Sequence, residues 1–569
     1  MLFRSIALLA APLLFLQGCA TLPAPPAEAA PTGEGLVSAA DPRAAEAGAE
    51  MLRQGGSATD AAIATMLALT VVEPQSSGIG GGGFLLRGSA DGGIETFDGR
   101  ETAPAGADPQ WFLGPDGKPV DFMTAVVSGR SVGVPGNLRL AEQAHKLHGK
   151  LPWATLFQPA IRLARGGWTL SERGRRFLVT GKNRAAHQPE GLALYYGADG
   201  EPVPVGSVLT NPALAATMEA LARNGADWFY SGANAAQLAQ EVAAETPRAG
   251  AMTVADVAAY RAKERPEVCG PYRQYTICGM GPPSSGATTV YAILKQLERF
   301  DLKTLGPQSP TFWHLFAESQ RLAYADRELY LADSDFVTVP VPGLTDPAYL
   351  AQRSQQISPE RTMPTPAAGR PAGALALADG DEPEEHGTSH FVAVDGWGNA
   401  VSYTSTIEGT FGSGIVVGGY YLNNELTDFS FVPEKDGAPV ANRVEGGKRP
   451  RSSMAPTLVF GPDGKLFMAV GAAGGATIPV QVARALIGVL DFGLSPADAA
   501  ALPVLFSPGD ALAVEKGTIL EGMVPQLTAL GHAQVTARDL PLKVNLAVRY
   551  PTGWVGAADP RSDGIVAAE

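Results

Sequence analysis

Apolar positions along the chain change period several times, and each change marks an element. Asp41-Pro42 reads as an N-cap with proline at the first helical position, opening a helix that carries Met51 and Leu52 and stops at Gly55-Gly56. Ser57-Ala58-Thr59-Asp60 is a capping box for a second helix, apolar through Leu69 and ended by Glu73-Pro74. Both are Ala-rich and suited to close packing. After the run Gly78 to Gly83, Phe84-Leu85-Leu86-Arg87 reads as a strand, and Phe97-Asp98-Gly99-Arg100-Glu101 closes another. Helical spacing recurs over 138–147, 154–164, 212–223, 253–263 and 309–331. Gly281-Pro282-Pro283-Ser284-Ser285-Gly286 is a rigid turn before a further helix. From Ser389 the period drops to two. Ser389 to Asp395 alternates, Gly396-Trp397-Gly398-Asn399 turns, and Ala400 to Ile407 alternates again, which predicts a β-hairpin. With the turn centred on Trp397, Thr388 falls opposite Thr406, or one residue away if the register slips. Ser402, Thr404, Thr406 and Glu408 then share one face.

Composition sets the class. With 569 residues, 45% hydrophobic and 18% charged, the chain is globular and long enough for more than one lobe or a large layered domain. A formal net charge of −14 with no basic stripe argues against nucleic acid as a partner. Residues 1–18 read as an address. Arg4 supplies a positive start, and Ile6 to Leu16 form an apolar run too short to span a bilayer. Leu16-Gln17-Gly18-Cys19 then resembles a bacterial lipoprotein signal, with Cys19 lipidated as the mature first residue. A plain secretory signal or an uncleaved anchor fits the same residues. A Pro/Ala-rich tether spans 19–34. The expectation is an exported protein, on the periplasmic side of a bacterial membrane and touching it only through a lipid, or periplasmic or secreted without one. The other two cysteines, Cys269 and Cys278, flank a turn-like centre, so either a cross-strand disulfide or two buried thiols is consistent with them.

Several chemistries can be set aside. The glycine run at 78–83 lacks the Lys-Ser/Thr ending of a phosphate loop and leads into a strand, so a close-approach backbone is the better reading. Gly129-Arg130-Ser131-Val132-Gly133 matches a nucleophile elbow, which leaves a Ser131 hydrolase as a rival. Trp313, His314 and Arg321 are assigned to packing. No metal-ligand spacing occurs, and no metal or cofactor is expected. A non-catalytic anchored binding protein is the rival from another class.

A positive candidate lies where composition changes. Residues 361–387 form an acidic Pro/Ala/Gly linker, expected to be flexible, with Asp379 to Glu385 at its end. A cut at Gly387–Thr388 would convert the amide nitrogen of Thr388 into an α-amine titrating near ~7.7–8.0, a base able to take the proton of the same residue's hydroxyl. One cleavage would thus create base and nucleophile together.

The chain resembles the γ-glutamyltransferase family of N-terminal-nucleophile hydrolases. The resemblance is carried by Thr388-Ser389-His390, Gly398-Asn399-Ala400-Val401, Tyr403-Thr404-Ser405-Thr406, Phe411-Gly412, Leu422-Asn423-Asn424, Asp428-Phe429, Arg449 to Met454 and Gly474-Gly475. Gly80 to Phe84, Arg100-Glu101 and Pro282 to Gly286 fit in the first half, so the likeness runs from about Gly35 to Asp559-Pro560-Arg561. Val392 departs from it, standing where the family usually has a small hydroxyl residue.

That resemblance implies an α+β fold, a four-layer αββα sandwich made by large (35–387) and small (388–569) subunits that form a heterodimer from one zymogen. It implies autocatalytic cleavage, then hydrolysis of glutathione and related γ-glutamyl amides through an acyl-Thr388 ester. Water, or the amine of an amino acid or peptide, would accept the γ-glutamyl group. Thr406 would orient Thr388, and the backbone of Gly474 and Gly475 would form the oxyanion hole. Arg100, Ser452 and Ser453 would hold the substrate α-carboxylate; Glu408, Glu425 and Asp428 would hold its α-ammonium. Some relatives carry amides at the positions of Glu408 and Glu425. Glutaryl or cephalosporin acylases of the same fold are the alternative, but their acyl group has no amine and would leave three buried carboxylates without a cation. The stretch 431–448 lacks a gating Tyr, which implies an open site.

Overall fold

Two antiparallel six-stranded sheets lie back to back, in a computed structural model that describes residues 34–380 and 387–569. The strands in chain order are β1 (Leu36–Ala39), β2 (Gly82–Gly88), β3 (Ile94–Asp98), β4 (Val268–Tyr272), β5 (Tyr275–Gly279), β6 (Ser389–Val394), β7 (Ala400–Thr406), β8 (Thr457–Phe460), β9 (Leu466–Ala473), β10 (Lys543–Tyr550), β11 (Gly553–Ala558) and β12 (Ile565–Ala568). The first sheet has the order β12-β1-β6-β7-β2-β3, and the second β11-β10-β9-β8-β5-β4. Helices α1 (Pro42–Arg53), α2 (Ala58–Val72) and α3 (Asn137–His148) lie against the first sheet. On the second sheet pack α4 (Gly286–Leu297), α5 (Pro310–Tyr330) and α6 (Ile478–Leu490).

The alternation of β6 and β7 explains the layering. Phe391, Ala393, Val401 and Tyr403 point to the α1–α2 layer. Val392 and Val394 point the other way and pack with Leu458, Val470 and Leu546 of the second sheet. Burial on both faces makes this the αββα sandwich that the resemblance implied. Val392 is fully buried between the sheets, a packing position. Helix α2 is buried along its whole length, as a helix apolar all round should be.

Local signals behave largely as expected. The Asp41 side chain accepts from the Arg43 amide, and Ser57 with Asp60 forms the capping box. The helix expected over 253–263 stops at Ala259, because Tyr260 turns extended and Lys263 pairs with the edge residue Asp98. That over 154–164 splits into Trp153–Leu156 and Gln158–Gly166, with Pro159 in the first turn of the second piece. Cys269 and Cys278 face each other across β4 and β5 and are joined by a disulfide, with Cα atoms 4.1 Å apart. Cys19, the signal and most of the tether lie outside the described residues, as do 381–386 of the linker. No helix among the described residues is long and apolar enough to cross a membrane.

Antiparallel pairing collects particular strand ends at one end of the sandwich. Thr388 precedes β6, Thr406 ends β7, Arg100 follows β3, Ser452 lies ahead of β8, and Gly474 follows β9.

Candidate active site

The hairpin register puts Ser389 opposite Ser405 and His390 opposite Thr404, so the next pair outward is Thr388 and Thr406. Thr388 Oγ1 donates to Thr406 Oγ1 at 3.1 Å, and Thr406 Oγ1 accepts from the Glu408 amide at 2.8 Å. The Thr388 amide donates to the Ser76 carbonyl at 3.2 Å. Its φ is +87°, a conformation that a β-branched residue rarely adopts and that stores about 1–3 kcal/mol of strain. Gly387 also has positive φ, and a Cβ there would lie 1.8 Å from the Glu408 carbonyl oxygen. The Gly387–Thr388 bond is therefore clamped against the end of β7 in a strained shape.

The Gly78–Gly83 run is a close-approach segment, not a phosphate loop. A Cβ at Gly81 would lie 2.0 Å from the Thr406 carbonyl oxygen, so only glycine lets the chain press against the strand that holds Thr406.

Thr388, Thr406, Arg100, Glu408, Glu425, Asp428, Ser452 and Gly475 all face one recess, which is closed down to about 10 Å³. The Arg100 guanidinium closes it. Nη1 pairs with Glu425, Nη2 lies 2.5 Å from Asp428 Oδ2, and further donations reach the Pro450 and Arg451 carbonyls at 3.2 and 2.8 Å. Burial alone would lower the Arg100 pKa, but Glu425, Asp428 and Glu101 outweigh it and raise it. Burial raises Glu425 well above the ordinary carboxyl range; Arg100 opposes this, and Glu101 and Glu408 reinforce it. Glu408 accepts from the Asn424 side chain.

Glu101 is the member that the sequence reading left without a role. It is fully buried 4.0 Å from Arg100, and burial pushes its pKa up to about 7 against the pull of that cation. Three carboxylates, Glu101, Glu425 and Asp428, thus surround one guanidinium. Protonation of Glu101 and Glu425 is how such a cluster limits its negative charge. This corrects the picture of three uncompensated carboxylates, since Arg100 already pairs with Glu425 and Asp428 while Glu408 accepts from Asn424.

Ser453 stands apart from the recess: its Oγ accepts from Arg327 Nη2 at 2.6 Å. Gly474 and Gly475 both have positive φ, +132° and +59°, and they precede the N-terminus of α6, where amides and the helix dipole favour negative charge. Gly474 lines a second, larger cavity of about 610 Å³, and Thr388 lines both. Beneath Thr388, Ser389 Oγ donates to Glu73 at 2.7 Å and Lys543 Nζ pairs with the same carboxylate at 3.1 Å. Among the described residues, none from 431–448 lines either cavity.

The elbow reading of Ser131 fails. Its hydroxyl is fully buried and directed at the Val126 and Ser128 carbonyls, 2.8 and 2.9 Å away. His314, Glu318 and His532 meet away from the site, a cluster invisible in sequence. Their polar atoms already have protein partners: His314 Nδ1 lies 2.8 Å from His532 Nε2, its Nε2 2.8 Å from the Ser358 carbonyl, and Glu318 accepts from Arg321, Thr362 and the Met363 amide. The cluster ties the start of the linker to α5.

Comparison with known proteins agrees with this geometry. The family model described as Gamma-glutamyltranspeptidase matches residues 44–569. The chain is 37% identical over 541 residues to the glutathione hydrolase proenzyme of Escherichia coli (strain K12), across 93% of this chain and 90% of that one. Identity to the glutathione hydrolase proenzyme of Bacillus subtilis (strain 168) is 36%, across 93% and 91% of the two chains. The crystal structure of a cephalosporin acylase from Bacillus halodurans superposes with a TM-score of 0.81 at 25% identity, over 97% of this chain and 99% of that chain. A family match over nearly the whole chain, with relatives at these identities, establishes that the protein belongs to the γ-glutamyltranspeptidase family.

Proposed function

We propose that the protein is an autoprocessed γ-glutamyl hydrolase and transferase that works on glutathione and related γ-glutamyl amides through Thr388. The observation that carries the reading is that Thr388, held by Thr406, lines the same recess as Arg100, Glu425 and Asp428. In the precursor, Thr388 Oγ attacks the Gly387 carbonyl, and the amide bond gives way to an ester. Water then hydrolyses the ester, freeing the α-amine of Thr388. Relief of the positive φ at Thr388 favours the break. The products are a large subunit ending at Gly387 and a small one, 388–569, which remain a heterodimer.

In turnover the α-amine takes the Thr388 hydroxyl proton, Oγ attacks the γ-carbonyl, and the oxyanion meets the amides of Gly474 and Gly475. The amine leaves with the proton, and water or a second amine resolves the ester. Arg100 and Ser452 hold the α-carboxylate, with Ser453 supporting through Arg327; Glu408, Glu425 and Asp428 hold the ammonium. Cys19 would anchor the enzyme on the periplasmic side of a bacterial membrane as a lipoprotein.

Denaturing electrophoresis with N-terminal sequencing tests the reading. Two fragments are expected, the smaller starting at Thr388, and Thr388→Ala should give one inactive chain. A chain that stays whole, or a second fragment with another first residue, overturns it. Preference for glutaryl over γ-glutamyl anilides would point to an acylase instead.

A further inference from the structure

A buried ion pair lies under the nucleophile and takes no part in making or breaking bonds there. Lys543 opens β10 opposite Ala473, and Glu73 is the C-cap residue of α2, 470 positions away in sequence. Lys543 Nζ lies 3.1 Å from Glu73 Oε2, 3.5 Å from Ser389 Oγ and 3.4 Å from Ser76 Oγ. Ser389 follows Thr388 directly, and the Ser76 carbonyl accepts from the Thr388 amide at 3.2 Å. One ammonium thus touches both residues that flank the Thr388 nitrogen. Arg173 approaches the same Glu73 carboxylate to 3.8 Å, so two cations share one anion. Burial would raise the pKa of Glu73, but Lys543 and Arg173 outweigh it and hold it below the ordinary carboxyl range. Burial lowers Lys543 against the pull of Glu73, with Arg173 adding to the fall and Asp41 opposing it. Packing alone gives no reason for a charge here, because apolar side chains of similar volume replace buried ion pairs at little or no cost in stability.

Resting on the acyl-Thr388 reading, we infer that Lys543 is a positioning residue for the base: its charge disfavours the ammonium form of the Thr388 α-amine and keeps that amine free to take the hydroxyl proton. An ordinary α-amine titrates near ~7.7–8.0, so at neutral pH most of it is already protonated and useless as a base. A cation beside it makes protonation costlier and frees more of it. In acylation the proton moves from Thr388 Oγ to the amine as the Oγ–carbonyl bond forms, and it leaves with the departing amine as the C–N bond breaks. Other charges also face Thr388. On the recess side are Arg100, Glu408, Glu425 and Asp428, with Glu101 beside Arg100 and Arg184 acting on Glu408. The larger, outer cavity has a basic lining, with Arg176, Lys516, Arg538 and Arg561 against Glu515 and Asp539. On β6 itself, burial lowers the His390 pKa and keeps that ring neutral. All of these are unchanged when Lys543 alone is replaced, so a difference between variants reports Lys543.

The test is the pH profile of kcat/KM for γ-glutamyl-4-nitroanilide, taken on full-length protein after self-cleavage. Lys543→Met keeps an unbranched side chain and removes the charge, so the ascending limb should move to higher pH by roughly one unit. Lys543→Arg supplies a cation that stays charged when buried, and the limb should return toward its wild-type place. Arg173→Gln removes the second cation at Glu73 and should move the limb the same way by less. A merely structural role would lower kcat/KM at every pH and leave the limb where it was. Self-cleavage on a gel reports folding; where Lys543→Met stays uncut, the partly exposed Arg173 carries the test through Arg173→Gln. A limb unmoved by these changes, or moved to lower pH, in protein whose small fragment starts at Thr388, overturns this inference alone. Wild-type protein that yields no fragment starting at Thr388 overturns the acyl-Thr388 reading and this one with it.

Discussion

Arg100 Nη2 lies 2.5 Å from Asp428 Oδ2, so the cation suited to a substrate carboxylate is held by an acid suited to a substrate ammonium. The recess is thereby closed to about 10 Å³, too small for anything beyond a single water. A zwitterionic amino-acid head can open it without leaving a charge stranded: its carboxylate takes over Arg100 while its ammonium takes over Asp428 and Glu425. An acyl chain with a carboxylate and no amine would release those acids uncompensated. Replacing Arg100 by Gln should raise KM for γ-glutamyl donors roughly 100-fold, the scale of a desolvated charge pair. The same change should lower stability by about 3–5 kcal/mol, because the partner carboxylates stay buried. Steady-state kinetics and denaturant melts check both, and Arg100→Lys should recover part of each.

Thr406 touches the nucleophile through one hydroxyl contact and receives the Glu408 amide through the same oxygen. Thr406→Val keeps the shape and removes both. Loss of that orientation should lower kcat by about 10- to 100-fold with a smaller change in KM, the effect of about 1–3 kcal/mol. An unchanged kcat would show that Thr388 needs no such partner.

Gly474 has no room for a side chain: a Cβ would lie 2.0 Å from the Pro541 carbonyl oxygen, at a φ of +132°. Gly474→Ala must displace the peptide whose amide we propose meets the oxyanion. The expected loss in kcat is about 10²- to 10³-fold, the scale of one oxyanion donor. Burst kinetics, with acylation slowed more than deacylation by a reactive acceptor, would localise the effect.

Glu101 makes stability depend on pH. Its pKa rises from 4.5 to about 7 on folding, through burial, with Arg100 opposing the shift. Between those values the folded protein keeps a proton that the unfolded chain has released. Stability from this group is thus complete below pH 4.5 and is lost as pH rises through 7. Glu101→Gln holds the neutral form throughout, so the variant should gain on the wild-type protein in denaturation midpoint across that window. Parallel pH profiles would contradict the assignment.

The pairing of Thr388 with Thr406 was legible in sequence because its information is local. A two-residue period, a turn at Trp397 and one register place Thr388 opposite Thr406. The recess around it is assembled from residues 325 and 328 positions apart, Arg100 with Glu425 and Asp428, and no periodicity predicts such a meeting. Only the resemblance named those residues together. Ser453 was grouped with Ser452 by adjacency, yet neighbours on an extended chain point to opposite sides, and Ser453 meets Arg327 instead. Glu101 stood in view beside Arg100, but burial, the property that makes it matter, is not written in its neighbours. The basic lining of the outer cavity was hidden for a similar reason, scattered from Arg173 to Arg538.

The strand order of the two sheets bears on what a cut at Gly387 would do. In the first sheet β1 lies between β12 and β6, and β7 is hydrogen-bonded to β2. In the second, β8 from the later half pairs with β5 from the earlier half. Segments from before and after residue 387 are thus woven like warp and weft, and neither half owns a complete sheet. Backbone scission would free two new chain ends yet release nothing. The fragments should copurify under native conditions and part only in denaturant, and neither should fold when made alone.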